Sequence, residues 1–168
     1  LALSLPRADD AWLAAFSRGL LALADAHGCA LVGGDTTAGP LNICITVFGQ
    51  VPEHQALRRS AARAGDDVYV SGCVGDARLA LAVFQGTAQL SAADFAAVRQ
   101  RLERPTPRIA LGLALRGVAH ACADVSDGLL GDLGHILQAS GVGAELTSDW
   151  MTNSIAVSQV LKSAGAHI

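Results

Sequence analysis

The chain has 168 residues, 51% hydrophobic and 16% charged, a balance that fits a folded α/β protein and excludes disordered and fibrous classes. Only 4% are aromatic, so any core must be aliphatic, and a net charge of −3 offers no basic footprint for nucleic acid. Arg18, Asp25, Arg78 and Arg116 interrupt the apolar stretches before any reaches the roughly 18 uncharged residues that a membrane span needs.

The length suits one ordinary domain or pieces of two smaller ones. The opening "LALSLPRADDAW" has no basic start and meets an acidic pair too early for a secretory leader. No Met begins the chain, which points to a fragment. Cys29, Cys44, Cys73 and Cys122 form no C-x-x-C pair and read as buried free thiols of a cytoplasmic protein.

From Asp9 to about His27, Trp12, Leu13, Phe16, Leu20, Leu21 and Leu23 recur at helical spacing, with Asp9 or Asp10 suited to the N-cap and Gly28 to the stop. "CALVGG" (29–34) reads as a buried strand, and "LNICITVFGQV" (41–51) alternates as a second strand does. "VPEHQALRRSAARAGDD" breaks the pattern, and a domain boundary is expected near residue 55, giving units 1–55 and 56–168. Beyond it come a strand at "DVYVSG", a helix opened by Gly75 and Asp76, and another capped by Ser91. A helix with Pro107 in its first turn follows. "HACADVSDGLLGDLGHILQASG" reads as strand, sharp turn, helix and glycine stop, "VGAELT" as a strand, and 153–163 as a further helix. Alternating strands and helices predict an α/β or α+β architecture with some parallel pairing.

Two segments could carry chemistry. "LVGGDTTAGP" (31–40) combines glycines that let a ligand approach the backbone with the Asp35 carboxylate and two hydroxyls. It is equally ordinary turn chemistry. "ADVSDGLLGDLGHI" sets Asp124 at a strand end and Asp127 at a helix start, with Ser126 between. Paired carboxylates favour a hard cation such as Mg²⁺, and a helix N-terminus with free N–H groups favours phosphate. A capping motif needs the same residue types. Arg58 and Arg59 form either a phosphate fork or a solvated pair. His135 reads as a packing or surface histidine, and neither a Walker phosphate loop nor a G-x-S-x-G elbow occurs.

Taken in order, "LVGGDTTAGPL", "ALRRSAARAGDDVYVSGCVGDA", "RPTPRIALGLALRG" and "DVSDGLLGDLGHIL" resemble the thiamine-monophosphate kinase family, within the ATP-using superfamily of aminoimidazole ribonucleotide synthetase, over residues 1–146. The resemblance implies two α/β domains, here the end of the N-terminal domain and the start of the C-terminal one. It also implies a homodimer paired through N-terminal domains, MgATP held between the domains, and phosphoryl transfer from ATP to thiamine monophosphate in the cytoplasm. On that resemblance Gly34, Asp35, Arg59 and Ser126 contact the nucleotide, and Asp35, Asp124 and Asp127 are the Mg²⁺ ligands. Ala38 stands where the family usually has arginine, and "SAARAGD" replaces an "SGAKPGD"-like run. Neither the family's N-terminal acidic loop nor its "GGEDYE"-like segment is within the chain. Other readings are a superfamily synthetase with a different acceptor, or a truncated nucleotide-binding or dimerisation module without activity.

Overall fold

The computed structural model describes residues 1–147, 154–156, 158 and 159. The chain divides after Pro52 into two compact units, Leu1–Pro52 and a second that begins at Glu53.

The first unit is built on β1 (Ala2–Leu5), α1 (Asp10–Ala26), β2 (Asp35–Ala38) and β3 (Asn42–Cys44). The sheet order is β2-β1-β3. β1 runs parallel to β2, with Ala2 opposite Asp35 and Leu5 opposite Ala38, and antiparallel to β3, with Leu3 opposite Ile43. Parallel neighbours cannot be joined by a tight turn, so α1 makes the crossover between β1 and β2. Asp9 caps α1, its carboxylate accepting the Trp12 N–H at 3.0 Å. One turn apart on α1, the Trp12 and Phe16 rings stack with centroids 5.2 Å apart. Leu3 and Leu5, 5% and 8% exposed, bury alternate positions of the central strand.

β1 was not among the expected strands, although Leu1, Leu3 and Leu5 recur with period two. Conversely, Cys29–Gly34 is not strand, and the sheet is entered only at Asp35. In the observed register Asp35 lies opposite Ala2, and β2 runs from there to Ala38. The strand expected over 41–51 is observed over Asn42–Cys44 only, and Phe48 is 84% exposed.

The second unit carries α2 (Asp76–Phe84), α3 (Ala92–Glu103), α4 (Ile109–Ala114) and α5 (Leu129–Ser140). α2 packs on α3 through the fully buried Ala80 and Val98. Phe84 meets Phe95 edge-on at 5.2 Å, and the Arg99 guanidinium lies 5.4 Å from the Phe84 ring centre. The aliphatic core required by the composition is what these buried side chains supply. Ser91 caps α3 by accepting the Asp94 N–H at 3.1 Å and donating to the Asp94 carboxylate at 2.8 Å.

Segments 67–72, 120–125 and 142–147, expected as strands, form no ladder; 120–125 makes only a parallel bridge, Ala121 to Arg58. Apolar alternation marks residues able to line a sheet, but a strand also needs a hydrogen-bonded neighbour, and Tyr69 stays 87% exposed. α4 begins at Ile109, beyond Pro107, because Arg108 keeps a non-helical backbone. Of the helix expected at 153–163, Ile155, Ala156, Ser158 and Gln159 are helical, and the rest lies outside the described residues. None of the cysteines is buried as expected: Cys29 and Cys44 are exposed, Cys73 and Cys122 half-buried. A mixed sheet together with helices gives the α/β class, and among the described residues no helix is long and apolar enough to cross a membrane.

Candidate functional site

Gly34 and Asp35 belong to the first unit. The Asp35 N–H donates to the Leu1 carbonyl at 3.0 Å, and Gly34 crosses so close to that carbonyl oxygen that any Cβ would collide with it. Glycine is therefore required by the approach of β1 to β2, whatever else approaches its backbone. Asp35 opens β2, exposed, with Oδ1 accepting the Thr36 N–H at 2.8 Å. That local bond fixes the carboxylate at a strand edge and leaves its other oxygen available. Ala38 closes β2 opposite Leu5 and presents no cation.

Arg59, Asp124, Ser126 and Asp127 belong to the second unit. Arg59 opens a 3-10 turn, Arg59–Ala61, that packs on α5. Ser140 of α5 clips this turn, its hydroxyl donating to the Arg59 carbonyl at 2.9 Å and accepting the Ala62 N–H at 3.1 Å. The Cys122 N–H donates to the Arg58 carbonyl at 3.2 Å, drawing the segment before Asp124 alongside the turn. The Arg59 guanidinium then reaches within 3.8 Å of the Asp124 carboxylate. Arg58 is exposed beside it.

Gly128, at φ +118°, makes the entry to α5 that a residue with a Cβ would strain to adopt. Asp124, Ser126 and Asp127 are all exposed on the loop before it. The backbone of that loop is not free, however. Asp132, only 4% exposed, accepts the N–H groups of Ser126 at 2.8 Å and Asp127 at 3.0 Å on its Oδ2. These backbone bonds, led by that of Ser126, hold the Asp132 carboxyl below its usual range against the opposing effect of burial. The helix itself starts at Leu129, and the N–H groups of Ser126 and Asp127, just before it, are taken by this carboxylate of the chain rather than left for phosphate. Sequence reading passed over Asp132, yet an acid in the first turn of a helix after a glycine was the available signal. His135 is exposed on α5 and lowers the Asp132 pKa by charge alone.

A second unforeseen pair ties the same two segments. Asp66 accepts the Arg63 N–H at 2.8 Å and lies 2.8 Å from the His120 ring nitrogen Nδ1. The Arg63 bond first, and the His120 bond next, hold the Asp66 carboxyl below its usual range.

Carboxylate oxygens on exposed loops are the right donors for a hard cation, so Asp124 and Asp127 fit Mg²⁺ chemically. Among the described residues no three His, Cys, Asp or Glu side chains gather as a metal cage. Mg²⁺ commonly takes one or two carboxylates and completes its shell with water and substrate phosphates, so a caged site is not required. A cleft of about 380 Å³ lined by Cys73, Asp76, Gln100, Arg101, Arg104 and Thr106 includes none of these residues.

The family model described as AIR synthase related protein, N-terminal domain, matches residues 1–51, and its C-terminal domain counterpart matches residues 63–164. The chain belongs to this AIR synthase-related family. Among its relatives is the thiamine-monophosphate kinase of Salmonella typhimurium, 48% identical over 158 residues that cover 94% of this chain and 49% of that protein. The crystal structure of thiamine-monophosphate kinase from Stenotrophomonas maltophilia K279a superposes with a TM-score of 0.83 at 48% identity, covering 95% of this chain and 52% of that one. A structure described as AaThiL complexed with AMPPCP and TMP gives a TM-score of 0.77 at 26% identity, over 99% of this chain and 54% of that one. The chain spans about half the length of the curated relatives it matches.

Proposed function

We propose that this chain is part of a thiamine-monophosphate kinase that transfers the γ-phosphoryl group of ATP to thiamine monophosphate, giving thiamine diphosphate and ADP in the cytoplasm. The observation that carries the reading is the 48% identity to a protein of that name across 94% of the chain. The neighbour described with AMPPCP, an ATP analogue, and TMP supports both substrates. A phosphate oxygen of thiamine monophosphate attacks the γ-phosphorus as the bond to ADP breaks. The two structural units supply the end of an N-terminal domain and the start of a C-terminal domain, in a protein that pairs as a homodimer.

Such a transfer leaves the protein little covalent work, so positioning and neutralisation of charge carry the rate. Asp35, Asp124 and Asp127 are the carboxylates that would hold Mg²⁺, which when bound neutralises the phosphate oxygens. Arg59, exposed at the turn beside Asp124, supplies a guanidinium fork for a phosphate. Gly34, whose Cβ-free side is taken by the Leu1 carbonyl, would meet the nucleotide through its backbone alone, and Ser126 offers a hydroxyl to it. Incubating the intact protein with ATP, Mg²⁺ and thiamine monophosphate tests the reading. Formation of thiamine diphosphate is expected; ATP turnover only with another acceptor, as in the synthetases of the superfamily, would replace it.

A further inference from the structure

The second unit buries two acids that the proposed transfer does not use directly, Asp76 and Asp132, and the second of them is tied to the loop that carries the proposed ligands. Asp132 sits in the first turn of α5, 4% exposed, and its Oδ2 receives two backbone N–H bonds from the loop that carries Ser126 and Asp127. Its own N–H donates to the Gly128 carbonyl at 3.0 Å, the first bond of the helix itself.

We propose that Asp132 is a positioning residue for the cation: it acts as the loop's internal anion, holding the Ser126 and Asp127 N–H groups inward so that the Asp124 and Asp127 side chains are held out toward the ligand. This rests on the reading of Asp124 and Asp127 as metal ligands. Two physical consequences distinguish Asp132 from an ordinary cap. The inward N–H groups no longer offer an anion site, so the loop presents carboxylates rather than amide donors to the incoming metal nucleotide. The loop is also fixed before the ligand arrives, so less ordering is needed on binding. Partners that orient metal ligands in this way typically change metal affinity by about 10–100-fold when removed.

The experiment uses Mn²⁺ alone as the probe, titrated into the full chain by calorimetry, with thermal unfolding followed in parallel. Asp132→Ala is expected to weaken Mn²⁺ binding about 10–100-fold. Asp132→Asn, which keeps an acceptor oxygen, is expected to lose less and guards against a misfolded alanine variant. In the kinase assay of the intact protein, the Mg²⁺ requirement should rise in both variants while kcat at saturating Mg²⁺ stays near wild type. Ser91→Ala weakens the α3 cap without touching the loop, and should leave Mn²⁺ affinity unchanged. Equal weakening in Ser91→Ala would assign the effect to general stability and overturn the proposal. Unchanged affinity in Asp132→Ala beside a marked loss in Asp127→Asn would overturn it alone, whereas unchanged affinity in Asp127→Asn would remove the metal assignment beneath it as well.

Discussion

The Arg59 guanidinium stands 3.8 Å from the Asp124 carboxylate, with both side chains more than half exposed. An exposed pair of this kind contributes roughly 0–1 kcal/mol to stability, so folding gives little reason for its presence. Arg59→Ala should therefore leave the melting temperature close to wild type while raising KM for ATP. Arg59→Lys should restore the affinity only in part, because an ammonium lacks the planar fork that matches phosphate. Thermal unfolding and ATP saturation curves of both variants check this, and a large loss of stability with unchanged KM would contradict it.

Asp35, Asp124 and Asp127 share a carboxylate chemistry and an exposed position at the edge of a strand or loop. Removing one preorganised electrostatic group from an active site commonly costs roughly 10²–10³ in kcat. Asp35→Asn and Asp127→Asn should each fall in that range for thiamine monophosphate turnover, with partial recovery as Mg²⁺ is raised. Near-normal turnover in both would remove the metal-ligand assignment.

Asp66 ties the turn after Arg59 to the segment leading to Asp124 through Arg63 and His120. Its pKa is lowered in the folded chain, so its contribution is fully present above the unfolded value of about 3.8 and is lost as pH falls through the lower, folded one. The stability difference between wild type and Asp66→Asn should thus shrink as pH falls below about 4. Urea unfolding across pH measures it; a difference that stays undiminished well below about pH 4 would contradict the assignment.

Val98 is fully buried where α3 meets α2. Truncation to alanine removes about two buried methyl groups and leaves a cavity, for a cost of about 2–3 kcal/mol. Ser91→Ala, which removes the cap of the same helix, should cost about 1 kcal/mol. Denaturant midpoints of the two variants test the order, and a larger loss for Ser91→Ala would place the helix's stability in its cap rather than its packing.

Much of this was legible in the sequence where the signal is local. The Asp9 and Ser91 caps and the helices they open follow from side chains three residues away, and the structure forms both bonds. Strands were harder, because pairing depends on register between distant segments. "CALVGG" had the composition of a strand, but the ladder is formed by the next segment, Asp35–Ala38, paired with Ala2–Leu5. At the site, the exposed acids were visible as motifs, whereas Asp132 and the Asp66–His120 pair act through backbone N–H groups and a distant partner that no string records. Gly34 could be read as a ligand-facing glycine, yet its collision with the Leu1 carbonyl appears only once β1 lies beside β2.

The central claim is tested most directly by supplying the intact protein with ATP, Mg²⁺ and thiamine monophosphate, beside reactions with other acceptors, and separating the products. Thiamine diphosphate and ADP formed in equal amounts, with no comparable turnover of the other acceptors, is the result expected. ATP consumption without thiamine diphosphate, or its dependence on a different acceptor, would contradict it.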